Sequence, residues 1–384
     1  MGVKLKNTSA APHASVTEPE FLAAPHIEAI PVVTPFIGPE QLMREGGHAS
    51  LLRLGANESA FGPSPRAVQA MAAELPHISW YGDPESYDLR CALALMHGCG
   101  VENICAGSGI DDLMGLGVRA FLSPGSTALT TRGTYPTFAY HVTGFGGKLD
   151  TVPYRDDGRV DIDALIDRAR SVAPSIVYIA NPDNPSGTTL AASEILRLFH
   201  ALPARTLLFL DEAYADFVDE RDAFPQLLSG RLIRVRTFSK AYGMAGARIG
   251  YAISTPRNAV TFQKIRLHYG VNRNAQIGAL AALGDRQFHD YVRTEVARGR
   301  QDYYDLAQSL GLGFLQSHTN FVCIDFGTNQ RATSVMNALL SHGVFVRKPA
   351  APPLDRYVRI SVGTPAERAE FGVRLRRVLS EEAA

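Results

Sequence analysis

The sequence predicts an α/β protein: a mostly parallel, doubly wound sheet of seven strands between helices, followed by a smaller α+β domain. Two observations carry this. Between about residues 100 and 255, seven short apolar runs alternate with stretches of helical spacing, the signature of strand–helix repetition. After about residue 285 the pattern changes to one long polar-faced helical segment and then to short strands.

The elements follow in chain order. The opening MGVKLKNTSAAPHASVTEPE lacks the apolar core of a signal peptide. Lys6 stands where a myristoylation signal needs Ser or Thr, so residues 1–28 read as a disordered extension. Residues 29–57 read as an arm belonging to the smaller domain, 58–285 as the large domain and 286–384 as the C-terminal domain. The seven runs are NICAGS, STALTTRG, KLDTVPY, SIVYIANP, TLLFLDEAY, LIRVRTFSK and RIGYAIS. Several are almost wholly apolar, as strands covered on both faces must be. IDDLMGLGVRAFL and AASEILRLFHAL carry helical spacing between them. Beyond 285, DRQFHDYVRTEVARGRQDYYDLAQSLGL reads as a bridging helix, followed by strands at NFVCIDF, VFVRK and YVRISVG with a helix near 331–342.

Totals narrow the function. Lys plus Arg and Asp plus Glu are both 38, so no charge excess points to nucleic acid or an anionic membrane. No apolar run reaches the roughly 18 residues of a membrane span. The four cysteines, Cys91, Cys99, Cys105 and Cys323, lack metal-type spacing and read as reduced thiols of a cytoplasmic protein.

The informative residues are those that follow the apolar runs, because ligands of open α/β sheets bind beyond the carboxyl ends of the strands. The runs deliver, in turn, the Gly109 turn, Tyr135, Asn184, Asp211 and Lys240. Singly, each has an ordinary explanation. GSGIDD resembles a dinucleotide fingerprint, but Asp112 replaces its third glycine. Asp211 could cap a helix, Asn184 could make a turn, Tyr135 could be packed and Lys240 solvated. Together they suit a pyridine ring carrying an aldehyde, a phenolic oxygen and a phosphate. A carboxylate keeps the ring nitrogen protonated, an aromatic covers the ring, and a lysine of lowered pKa reacts with the aldehyde. The start of a helix, Ser239 and Arg248 would take the phosphate.

LGANESAFGPSP (54–65), YGDPESYDLR (81–90), NPDNPSG (181–187), LDEAYADF (210–217), TFSKAYGMAGARIGY (237–251) and VRISVGTP (358–365) together resemble the fold-type I pyridoxal-phosphate aminotransferases, in the histidinol-phosphate aminotransferase-like branch. The resemblance runs from about residue 30 to the C-terminus. It implies pyridoxal 5'-phosphate as cofactor, with Lys240 bound to its aldehyde and Asp211 on the ring nitrogen. Tyr214 and Asn184 would meet the phenolic oxygen and Tyr135 the ring face. Gly109, the backbone N–H groups of Ile110 and Asp111, Ser239 and Arg248 would hold the phosphate. Arg359 would bind a substrate carboxylate, Arg347 a substrate phosphate, and Asn57 would lie on the substrate side. Tyr81 would reach the phosphate in a second subunit, which implies a homodimer with shared sites. A cis bond is implied before Pro185.

Three activities fit this resemblance: ping-pong amino transfer between histidinol phosphate and 2-oxoglutarate, the same chemistry on another amine or an aromatic amino acid, and decarboxylation of a phosphorylated amino acid. A regulator built on the same fold lacks support, since no helix-turn-helix or basic extension precedes the domain. The stretch GANESAFGPSP departs from the branch at Ser59 and Ala60, and HYGVNRN adds His268 and Arg273 close to the expected substrate position.

Overall fold

The computed structural model describes residues 22–31, 37–46, 50–219 and 223–382. Most of the extension expected at 1–28 lies outside the described residues; within its last part, Pro25–Glu28 forms one helical turn.

Strands are numbered along the chain. β1 is Leu52–Arg53, β2 Ile104–Gly107, β3 Thr127–Thr131, β4 Lys148–Val152, β5 Ile176–Ala180 and β6 Leu207–Asp211. β7 is Leu232–Thr237, β8 Gly250–Ile253, β9 Gly313–Phe314, β10 Phe321–Asp325, β11 Val344–Phe345 and β12 Tyr357–Ser361. The seven runs singled out in the sequence become β2 to β8, joined in one sheet of order β2-β8-β7-β6-β5-β3-β4. Only β8 runs against its neighbours; every other pairing in this sheet is parallel.

All five residues of β5 and of β6 are buried. Alternation sends Val177, Ile179, Leu208 and Leu210 into one core and Ile176, Tyr178, Leu207 and Phe209 into the other. That is why these runs carry almost no polar residue before their ends. The covering helices show the complementary spacing. Ile162–Val172 buries Ile162, Leu165, Ile166 and Ala169 along one stripe, and Asp161 caps it by accepting from the Ala164 N–H.

The bridging helix is observed at Arg286–Ser309. Beyond it, β9, β10 and β12 make a three-stranded antiparallel sheet, and β1 pairs in parallel with β11. The core under this sheet takes in Tyr214 and Phe217 from the loop after β6. The C-terminal sheet thus packs directly against the carboxyl edge of the large one.

One expectation needs correction. Among the described residues the cis bonds are Asn181–Pro182 and Pro352–Pro353, not the bond before Pro185. The Asp183 carboxylate organises 183–187 by accepting from the N–H and hydroxyl of Ser186. The cis bond falls three residues earlier, where the Asn181 N–H bonds the Asp211 carbonyl and its side chain accepts from the Leu190 N–H.

Candidate active site

At the carboxyl edge of the large sheet, roofed by the C-terminal sheet, lies a cavity of about 540 Å³, within the range of small-molecule sites. Asp211, the last residue of β6, stands at its floor and is 4% exposed. Its Oδ2 accepts from the Tyr178 hydroxyl at 2.8 Å and its Oδ1 from the Ala213 N–H at 2.9 Å. Burial pushes its carboxyl up to about 6, and these two bonds oppose the rise. Among the described residues no cation hydrogen-bonds or ion-pairs with it, so a buried carboxylate faces the cavity with lone pairs to spare.

Lys240 follows β7 and is held near the same cavity. Burial lowers its ammonium to about 8, and the neighbouring guanidinium of Arg359 works in the same direction. Its Nζ donates to the Asn57 carbonyl at 3.0 Å and lies 5.6 Å from the centre of the Tyr214 ring. Burial lifts the Tyr214 phenol to about 12, which keeps it a donor at neutral pH.

The phosphate end is built from three elements. Gly109 caps the helix Ile110–Phe121 with φ +92, where a Cβ would stand 2.7 Å from Arg248 Nη2. Only glycine fits both demands. The first N–H groups of that helix open toward the cavity, where Ile110 and Asp111 are lining residues. Ser239 is braced by the Thr237 hydroxyl at 2.9 Å. Arg248 rests on the Ala245 carbonyl at 3.0 Å and on the Asp111 carboxylate at 3.4 Å. Tyr135 donates to the other oxygen of Asp111 at 3.0 Å. An anion seated here would find backbone donors, a hydroxyl and a guanidinium converging.

On the opposite wall, Arg359 donates through Nη1 to Asn184 Oδ1 at 2.5 Å, leaving the amide nitrogen of Asn184 directed elsewhere as a donor. The backbones of Arg347 and Arg359 form an antiparallel bridge. Residues facing each other this way put side chains on the same side, and like charges so placed repel. Both guanidiniums line the cavity, with Lys348 beside them.

Two of the residues picked from the sequence do not line this cavity through the routes expected. Arg273 is spent on Glu74 and on the face of Trp80, 5.8 Å away, and His268 is exposed outside the cavity. Ser59 and Ala60 are also off the wall, which is formed by Ala56, Asn57 and Glu58. Tyr81 is 77% exposed, stacked on Tyr269 at 4.4 Å, and not part of this chain's own cavity. Sequence reasoning missed Tyr178, Glu58 and Lys348. Only Tyr178 left a trace, as the one hydroxyl in an otherwise aliphatic strand.

A family model described as aminotransferase class I and II matches residues 49–375. The chain belongs to this family. Among curated relatives of this aminotransferase, "Histidinol-phosphate aminotransferase 2" of Pseudomonas fluorescens (strain Pf0-1) is 32% identical over 370 residues, covering 94% of this chain and 98% of the relative. The protein of the same name from Pasteurella multocida (strain Pm70) is 35% identical over 344 residues, covering 88% and 93%. The crystal structure of histidinol-phosphate aminotransferase from Sinorhizobium meliloti in complex with pyridoxal-5'-phosphate superposes with a TM-score of 0.89 at 43% identity, covering 93% and 97%. L-threonine-O-3-phosphate decarboxylase from Porphyromonas gingivalis, at 24% identity and a TM-score of 0.72, shares the fold.

Proposed function

We propose that this aminotransferase binds pyridoxal phosphate and moves an amino group between a phosphorylated amine, histidinol phosphate, and the 2-oxo acid 2-oxoglutarate. The observation that carries the substrate reading is the bridged pair Arg347 and Arg359 on the wall facing Lys240. Each arginine adds to the positive field at the other, an anion in the cavity relieves it, and each suits a phosphate or carboxylate.

The residues present fit the cofactor. A buried carboxylate without a cation hydrogen-bonded to it among the described residues, a helix N-terminus with a hydroxyl and an arginine, and a lysine of lowered proton affinity meet in one cavity. When bound, pyridoxal phosphate supplies an aldehyde that captures an amine and a ring that accepts electrons from the substrate carbon. Asp211 would hold the proton on the ring nitrogen, and Ser239, Arg248 and the N–H groups of Ile110 and Asp111 the phosphate. Tyr135 would cover the ring, while Tyr214 and the amide of Asn184 would donate to its oxygen. Lys240, displaced by the incoming amine, would take the proton from the substrate carbon that bears nitrogen. With a pKa near 8, about a tenth of it is free amine at pH 7, against under a thousandth for an ordinary lysine. Arg359 would orient the carboxylate of the 2-oxo acid and Arg347 the phosphate of the amine, with Asn57 bordering both.

Residues 29–57 with 286–384 would form the substrate-side domain and 58–285 the cofactor domain; the pairing of β1 with β11 supports this division. A homodimer with shared sites is supported by the exposed aromatic surface of Trp80, Tyr81 and Tyr269, which would carry Tyr81 to the partner's phosphate site. A cytoplasmic setting is supported by four free cysteines. No helix among the described residues is long and apolar enough to cross a membrane.

Steady-state amino transfer to 2-oxoglutarate, measured with histidinol phosphate and with histidinol, tests the reading. A KM at least about tenfold lower for the phosphorylated amine is expected from a charged hydrogen bond. Equal KM values would refute the role of Arg347.

A further inference from the structure

Asn57 has φ +54, in the left-handed region that side chains other than glycine rarely enter, and is 2% exposed. Such a conformation persists only where its surroundings over-determine it. Here they do. The Asn57 N–H donates to Ser361 Oγ at 2.9 Å, and that hydroxyl donates in turn to Asn57 Oδ1 at 3.2 Å. Its Nδ2 donates to the Tyr214 hydroxyl at 3.0 Å. Its carbonyl accepts two donors, Asn320 Nδ2 at 3.1 Å and Lys240 Nζ at 3.0 Å, which uses both lone pairs. Asn320 also donates to the Glu58 carbonyl at 3.3 Å, so the turn is clamped on both sides. Asn320 and Ser361 are 1% and 2% exposed, and both belong to the C-terminal sheet or the turn that enters it.

We infer that the Asn57 carbonyl is the dock for the Lys240 amine whenever that amine is not covalently committed, and that Asn320 and Ser361 are positioning residues that aim the dock. This rests on the reading of Lys240 as the reactive lysine. Asn57 places two partners at once, the lysine through its backbone and Tyr214 through its side chain. The strained turn has a purpose on this account: in an extended conformation the carbonyl would not meet Lys240 while the amide met Tyr214. A carbonyl acceptor favours the ammonium form. It works with Asp111, Glu58 and Asp211, which also favour the charge, and against burial and Arg359, which oppose it.

The test uses the full-length chain freed of cofactor. Its amines are labelled with acetic anhydride at graded pH, and the extent at Lys240 is read by mass spectrometry. The chain has six lysines, so the others serve as internal references on separate peptides. In the wild-type chain the Lys240 midpoint is expected near 8. In Asn320→Ala and Ser361→Ala it should fall by about 1 to 2 units, the scale of one lost hydrogen bond to a charge. Ser361→Thr, which keeps the hydroxyl, should restore the wild-type midpoint. Ser361→Ala removes one oxygen only, so it provides a reading even if Asn320→Ala fails to fold. An unchanged or raised midpoint in Ser361→Ala would overturn the inference. Borohydride reduction with pyridoxal phosphate that marks a lysine other than Lys240 would instead overturn the underlying reading, and leaves the midpoints to be judged by themselves.

Discussion

At the residue scale, the site depends on two groups held away from their ordinary proton affinities. Lys240 is lowered to about 8, mainly by burial. Its capture of pyridoxal phosphate in the apoprotein should therefore titrate with a midpoint near 8, followed by absorbance in stopped flow; a midpoint above 10 would mean the amine is solvated. Lys240→Ala should lose turnover by several orders of magnitude with the fold retained, as expected for a residue that acts as nucleophile and proton carrier. Asp211 makes the opposite kind of prediction. Its folded pKa, near 6, lies above the unfolded value near 3.8. The folded apoprotein binds more protons in that window, so this group makes stability fall as pH rises from about 4 to 6. Asp211→Asn removes that term. Above pH 6 the apo variant should be more stable than wild type, by on the order of 1–3 kcal/mol, while being inactive. Asp183, also near 6, remains in both proteins, so the difference between their urea unfolding curves across pH isolates Asp211. A difference that does not grow from pH 4 to 6 would contradict the assignment.

At the scale of elements, the carboxyl ends of the parallel strands and the helix after β2 turn separate residues into a site. β2 to β8 were legible because each is a short apolar run, and a strand covered on both faces cannot be written otherwise. Their ends were legible for the converse reason: a polar residue there ends the run. What stayed hidden was side-chain reach. Nothing in the spacing of HYGVNRN says that Arg273 turns to Glu74, since the partner is 199 residues away. Nor could the pairing of Tyr178 with Asp211 be read, because it needs the register of β5 on β6. Asn57 was placed near substrate by resemblance, but its left-handed turn and its bonds to residues 320 and 361 are tertiary facts. The Gly109 turn gives a prediction at this scale. Gly109→Ala combines a positive φ with a 2.7 Å clash against Arg248, and should weaken cofactor affinity about tenfold or more. Fluorescence titration of the apoprotein with pyridoxal phosphate measures it, and unchanged affinity would show that this helix does not hold the phosphate.

At the scale of the whole molecule, the cavity needs both sheets: the large one supplies Asp211 and Lys240, the C-terminal one Arg347 and Arg359. Trp80, Tyr81, Leu267 and Tyr269 are large apolar side chains left exposed, with Tyr81 stacked on Tyr269. Trp80→Asp combined with Leu267→Asp should yield monomers by light scattering and a protein that loses cofactor on gel filtration. Monomers that keep both cofactor and activity would remove the shared-site reading. The central claim is that one cavity serves a phosphorylated amine and a 2-oxo acid in alternate halves of a ping-pong cycle. Its most direct test is the visible spectrum of the cofactor-loaded protein, with histidinol phosphate and L-glutamate added in separate cuvettes. Both should convert the aldehyde form of the cofactor to its amine form, and Arg347→Ala should slow the first conversion far more than the second. Conversion by glutamate alone would contradict the phosphorylated substrate, and conversion by neither would contradict amino transfer between these partners.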